Sequence, residues 1–90
     1  MRIKTDRTFD KSFRKLPKKL QSATIERIKL FLKDRNDPLL KDHALKGKMA
    51  GQRAFSVTGD YRIVYYEEDE QTAVLLRVGR HTQVYGKKGQ

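Results

Sequence analysis

Residues 53–66, Arg53-Ala54-Phe55-Ser56-Val57-Thr58-Gly59-Asp60-Tyr61-Arg62-Ile63-Val64-Tyr65-Tyr66, constrain the fold more than any other stretch of the chain. Two runs rich in β-branched and aromatic residues flank Thr58-Gly59-Asp60, a turn composition, which predicts a hairpin of strands 53–57 and 61–66. Side chains alternate across a strand, so Tyr61, Ile63 and Tyr65 share one face while Arg62, Val64 and Tyr66 share the other. An arginine in the middle of an apolar strand has two explanations. It stands in water on an exposed sheet face, or that face receives an anion.

A third strand is expected at 73–78, joined to the hairpin by the acidic turn Glu67-Glu68-Asp69-Glu70-Gln71, and such short links favour antiparallel pairing. The opening Arg2-Ile3-Lys4-Thr5 reads as a further strand, with Thr5 or Asp6 free to start a helix. Phe9, Phe13 and Leu16 recur at helical spacing and predict a first short helix ending near Leu16-Pro17. Pro17 suits the first residue of a second helix running to about Asp34, whose apolar stripe is Leu20, Ala23, Ile28 and Phe31, widened by Ile25, Leu30 and Leu32. Asn36-Asp37-Pro38 ends that helix, Leu39-Leu40 adds a turn, and 41–52 is expected as a long loop. The class is α+β. Ninety residues allow one domain, placed at 1–86 with a basic tail at 87–90, and 37% hydrophobic against 36% charged residues leaves it a thin core.

Without cysteine the chain has no disulfide, thiolate nucleophile or cysteine-based zinc site. It also lacks an apolar run of membrane-spanning length and a signal-like N-terminus, so a soluble, cytoplasmic protein without a membrane partner is expected. The formal net charge is +10, of which residues 1–50 carry +9 and residues 51–90 only +1. That excess calls for a polyanionic or acidic partner, nucleic acid first and an acidic protein second. The helical lysines serve either to track phosphates or merely to solvate the outer faces.

Chemistry-bearing residues are few. The two histidines, His43 and His81, fall before and after the strands and are placed at the rim of the sheet. Imidazole, with an ordinary pKa of about 6.5, both takes and gives protons near neutrality. One such group withdrawing a 2′-OH proton and another protonating the leaving 5′-oxygen would cleave RNA without a metal. Arg62 can stabilise the charge that grows on the phosphoryl oxygens, with Arg53, Arg77 and Arg80 as neighbours; the plainer reading makes all four surface arginines, paired with the acidic turn or simply hydrated. Asp60 is a plain turn former, a proton acceptor or a partner that orients a histidine. Tyr61, Tyr66 and Tyr85 suit stacking on splayed bases; equally, Tyr61 and Tyr65 suit core positions with bonded hydroxyls, Tyr65 above all. Neither a metal-ligand cluster nor a phosphate-binding glycine loop or nucleophile elbow is present, and no cofactor is called for.

Together, the loop Asp42-His43-Ala44-Leu45-Lys46-Gly47, the segment Gly59-Asp60-Tyr61-Arg62-Ile63-Val64-Tyr65 and the ending Val78-Gly79-Arg80-His81-Thr82-Gln83-Val84-Tyr85 resemble the RelE/ParE toxin superfamily of type II toxin–antitoxin systems. The first and last motifs are most similar to the YafQ branch. The resemblance implies an N-terminal strand and helical hairpin on a curved, mainly antiparallel sheet of about four strands, with RNA on the face away from the helices. It implies a ribosome-dependent mRNA endoribonuclease, with mRNA, the ribosome and its 16S rRNA, and a neutralising cognate antitoxin as partners. On that basis His43, Asp60, Arg62 and His81 are the catalytic candidates. Lys46, Lys48, Arg53, Ser56, Tyr61, Arg77, Arg80 and Tyr85 are the RNA-binding ones. Ser56 departs from the pattern, standing where YafQ-type toxins have a further histidine; a hydroxyl is no base at neutral pH. Two alternatives stay open, a ParE-like toxin of DNA gyrase and a catalytically degenerate RNA- or antitoxin-binding module.

Overall fold

In the computed structural model, which describes residues 1–85, the elements are β1 (Arg2–Thr5), α1 (Arg7–Arg14), α2 (Lys18–Lys33), β2 (His43–Ala44), β3 (Arg53–Ser56), β4 (Tyr61–Asp69), β5 (Thr72–Arg80) and α3 (His81–Tyr85). Gly86 and the expected tail at 87–90 lie outside the described residues. The strands form one mixed sheet in the order β1-β5-β4-β3-β2, with β1 parallel to β5 and the other pairs antiparallel. The α+β class is as expected; the strand count is five rather than about four. The extra strand is β2, inside the stretch expected as a loop: two residues, too short for any periodicity, pair His43 with Ala54 and Ala44 with Arg53.

Three further expectations are corrected. Asp6 caps α1 by accepting from the Thr8 N–H at 2.9 Å, but Pro17 occupies the N-cap of α2 in extended geometry (ψ 152°) rather than its first turn. The acidic segment is mostly strand, since β4 runs to Asp69 and β5 begins at Thr72. The third strand, expected at 73–78, runs as β5 from Thr72 through Arg80, and His81–Tyr85 then coil into α3, a helix too short for a periodic signature.

The main core lies between the helices and one sheet face, where Phe9, Phe31, Phe55, Val57, Ile63, Tyr65, Leu75 and Val78 are buried. Tyr61, Ile63 and Tyr65 lie together on this side, as alternation predicts. A second, smaller cluster covers part of the opposite face: Ala54, Val64 and Val84 are buried, with Leu45, Met49, Leu76 and Tyr85 packed against them. The 41–52 segment and α3 therefore meet over the sheet. Arg27 of α2 donates from Nη1 to the carbonyls of Leu39 (3.1 Å) and Ser56 (3.3 Å), tying α2 to β3.

β1 pairs with β5 only as far as Leu75, which leaves the next part of that edge to α1. There the Ser12 hydroxyl accepts from the Val78 N–H at 3.0 Å and donates to the Phe9 carbonyl at 3.0 Å. Ser12→Ala would strand a donor beside Val78, which is 3% exposed. A loss of about 1–3 kcal/mol in urea unfolding is expected. No measurable loss would mean that this edge bond contributes nothing.

Candidate functional site

Ladder pairing sets out the face away from α1 and α2. His43 stands opposite Ala54 on β3; Ser56, two residues further along, stands opposite Arg62 on β4; Arg62 in turn faces Gly79 on β5. His81 follows directly on β5, with its backbone N–H donating to the Asp60 carbonyl at 2.9 Å, so the β3–β4 turn fixes the start of α3. Its imidazole lies edge-on to the Tyr85 ring, centroids 4.4 Å apart. β2 and β5 are three strand spacings of about 4.8 Å apart. The two imidazoles thus flank a strip whose centre is Ser56 and Arg62.

Arg62 is half-buried and held by the turn, its Nη1 donating to the carbonyls of Gly59 (2.9 Å) and Tyr61 (3.0 Å). Gly59 has φ +50°, a conformation that favours glycine, and this backbone aims its carbonyl back at the guanidinium. Opposite Arg62, Gly79 adds no side chain to the strip. Ser56 is 8% exposed. It offers a hydroxyl and no proton acceptor of histidine strength at the middle of the strip.

The Tyr85 hydroxyl is buried without a hydrogen-bond partner among the described residues. Burial raises its pKa, and the nearby charge of Arg62 opposes the rise. Tyr85 and Arg62 therefore belong to one neighbourhood. Arg77 donates from Nε to the Val84 carbonyl at 2.8 Å, clamping the end of α3, and burial lowers its pKa. Lys46 and Lys48 are exposed on the segment that carries β2, and Asp60 is exposed at the turn.

Three RNA-binding candidates, Arg53, Tyr61 and Arg80, sit elsewhere. Arg53 shares the helix-bearing face with Phe55 and Val57, and its Nε donates to Asp42 Oδ1 (3.3 Å) and Tyr65 Oη (3.2 Å). Tyr61 also lies on that side, where Arg80 Nε donates to its hydroxyl at 3.3 Å and the Arg80 guanidinium sits 5.7 Å from its ring centre. Period-two alternation forbids Arg53 and Tyr61, and with Tyr61 its ladder partner Arg80, from sharing a face with Arg62. Tyr61 lines a groove of about 410 Å³ with Lys11, Lys15 and Ser12 of α1, which Arg77, the ladder partner of Val64 on the open face, also borders.

A polar cluster that sequence reasoning missed lies behind the site. Tyr65 Oη donates to Asp42 Oδ1 at 2.8 Å, Arg35 Nη2 donates to Tyr65 Oη at 3.3 Å, and Arg35 bridges Asp42 and Glu67. Its members are scattered from residue 35 to 67, so no local motif announces them. Burial, reinforced by the bond to Asp42, pushes the Tyr65 hydroxyl well above its ordinary range. The hydrogen bond from Arg35 holds the Glu67 carboxyl below its own. A depressed carboxyl stabilises the fold above its unfolded pKa, 4.5, and that contribution fades as pH falls through the folded value. Wild type is therefore expected to lose more stability than Glu67→Gln on acidification from about pH 5 to pH 3. The Glu67 side chain is 39% exposed, so the difference is modest, and parallel pH–Tm curves for the two proteins would refute it.

Among the described residues no group of three or more His, Cys, Asp or Glu is arranged to hold a metal ion, and no helix is long and apolar enough to cross a membrane.

A helical hairpin packed on a mixed sheet is the fold that this chain shares with small toxins of the YafQ and RelE kind. The family model described as the YafQ bacterial toxin of type II toxin–antitoxin systems matches residues 1–86, and the chain belongs to that family. Crystal structures of YafQ from Escherichia coli (20% identity, TM-score 0.78, covering 93% of this chain and 97% of that one) and of the E. coli DinJ–YafQ toxin–antitoxin complex (22%, 0.74, 93% and 96%) share the fold. So does the RelBE2 toxin–antitoxin complex of Mycobacterium tuberculosis (28% identity, TM-score 0.67, covering 87% and 94%). No curated protein sequence matches the chain.

Proposed function

We propose that this type II toxin is a ribosome-dependent mRNA endoribonuclease, silenced by a cognate antitoxin. The observation that carries the reading is the strip itself: Arg62 at its centre, His43 on one side, His81 on the other. In this scheme His43 takes the 2′-OH proton, the 2′-oxygen bonds to phosphorus, and the P–O5′ bond breaks as His81 protonates the 5′-oxygen. The products are a 2′,3′-cyclic phosphate and a 5′-hydroxyl. Arg62 offsets the charge growing on the non-bridging oxygens from a nearly fixed position, which limits reorganisation. Tyr85 stacks on the base next to the cut, and Lys46, Lys48 and Arg77 hold flanking phosphates. With Ser56 at the centre, proton transfer falls to His43, Asp60 and His81. The charge of +10 fits a polyanionic substrate and an acidic antitoxin alike.

Mapping RNA 5′ ends after induction tests the reading, since it requires new ends at fixed places within codons. Breaks in DNA with unchanged RNA ends would replace it with gyrase poisoning. Cleavage of free RNA in EDTA, beside ribosome-bound mRNA in magnesium, separates ribosome dependence from metal dependence.

A further inference from the structure

Asp42 and His43 are neighbours that point opposite ways. Continuing the β2–β3 register puts Asp42 on the face of Arg53 and Phe55, while His43 shares the open face with Ala54. The Asp42 side chain is 10% exposed and gripped from three sides: Tyr65 Oη at 2.8 Å, Arg53 Nε at 3.3 Å and Arg35 Nε at 3.5 Å. Tyr65 is itself immobilised, fully buried against Phe31 and Phe55, with ring centroids 5.1 and 5.7 Å away. Rigidity thus passes from the aromatic core, through one hydroxyl, to the residue before His43.

Lys41, on the other side of Asp42, has φ +50°, and it is the one non-glycine residue in the left-handed region among those described. A lysine holds that conformation only where its surroundings compel it. Here its N–H bonds the Pro38 carbonyl at 3.2 Å and Asp42 is pinned next to it. Its carbonyl meets His43 Nδ1 at 2.9 Å. A carbonyl only accepts, so Nδ1 carries the proton and, in the neutral ring, the lone pair is on Nε2.

We propose that Asp42 is a positioning residue: clamped by Tyr65, Arg53 and Arg35, it fixes the turn in which the Lys41 carbonyl holds His43 as the Nδ1–H tautomer and leaves Nε2 as the base. The arrangement has the logic of a base oriented by a third group, with a backbone carbonyl as the orienter and the carboxylate one step behind it. Its catalytic consequence rests on the nuclease reading above. The tautomer does not.

The test is ring ¹⁵N NMR of the intact chain together with cleavage kinetics. Wild type shows His43 as Nδ1–H. Asp42→Ala and Tyr65→Phe, the second of which keeps the ring packing, shift His43 toward a tautomer mixture while the His81 signals stay in place. In the same variants kcat falls about 10- to 100-fold with KM little changed. Asp42→Asn retains an oxygen for the Tyr65 hydroxyl and restores most of both signals. An Nε2–H tautomer in wild type, or an Nδ1–H tautomer that survives in folded Asp42→Ala and Tyr65→Phe, overturns the proposal. If the tautomer shifts as stated in a protein that cleaves no RNA, the positioning holds and the nuclease reading falls.

Discussion

His81→Ala should lower RNA cleavage by about 10²- to 10⁴-fold, the usual contribution of one positioned acid or base, and relieve growth arrest while the protein still folds and binds antitoxin. The substitution removes an imidazole and leaves the backbone alone. The N–H of residue 81 can still donate to the Asp60 carbonyl, and Val84 still anchors α3 on Ala54 and Val64. What goes is the ring beside Tyr85 and the proton that a 5′-oxygen needs on departure. Protecting that oxygen from the need is the discriminating control: a substrate with a 5′-thio leaving group requires no acid, so the variant should recover activity on it. A variant as toxic as wild type, with cleavage unchanged, would remove His81 from the mechanism.

Much of this arrangement is legible in the sequence because it depends on short-range regularities. Alternation within residues 61–66 placed Arg62 opposite Ile63 and Tyr65, and helical spacing of Phe9 and Phe13 located α1. The same rule also excludes Arg53 and Tyr61 from the open face, yet their charge and aromaticity made them candidates for RNA. Residue type competed there with periodicity, and geometry follows periodicity. Features built from separated residues left no pattern to read. β2 exists because Ala54 and Arg53 offer an edge for His43 and Ala44 to join. α3 stays put because Val84 finds a small cluster on the far face and Arg77 holds its carbonyl. The Asp42 cluster joins residues up to 32 positions apart, as from Arg35 to Glu67. Ser56 is legible only by comparison with a family pattern; in isolation it is an unremarkable strand residue.

Phe31→Ala should cost about 3–5 kcal/mol, the range for truncating a large buried aromatic, and bring the domain close to unfolding at physiological temperature. Phe31 is 1% exposed, stacks on Phe55 with centroids 4.6 Å apart and planes 12° from parallel, and meets the edge of Tyr65 at 5.1 Å. It is the contact through which α2 grips the centre of the sheet, and a small domain whose total stability is about 5–15 kcal/mol has little to spare. At about 4–8 °C of Tm per kcal/mol for a domain of this size, thermal unfolding followed by circular dichroism should shift by well over 10 °C. Ile25→Ala on the same helix is the comparison, since Ile25 is 44% exposed and should cost well under about 1 kcal/mol. Equal costs for the two would mean that α2 does not pack through Phe31. The cavity has a second effect, because Phe31 also immobilises the ring whose hydroxyl holds Asp42. Below its lowered Tm, the folded Phe31→Ala protein should therefore show the same His43 tautomer mixing as Tyr65→Phe, whereas Ile25→Ala should show none.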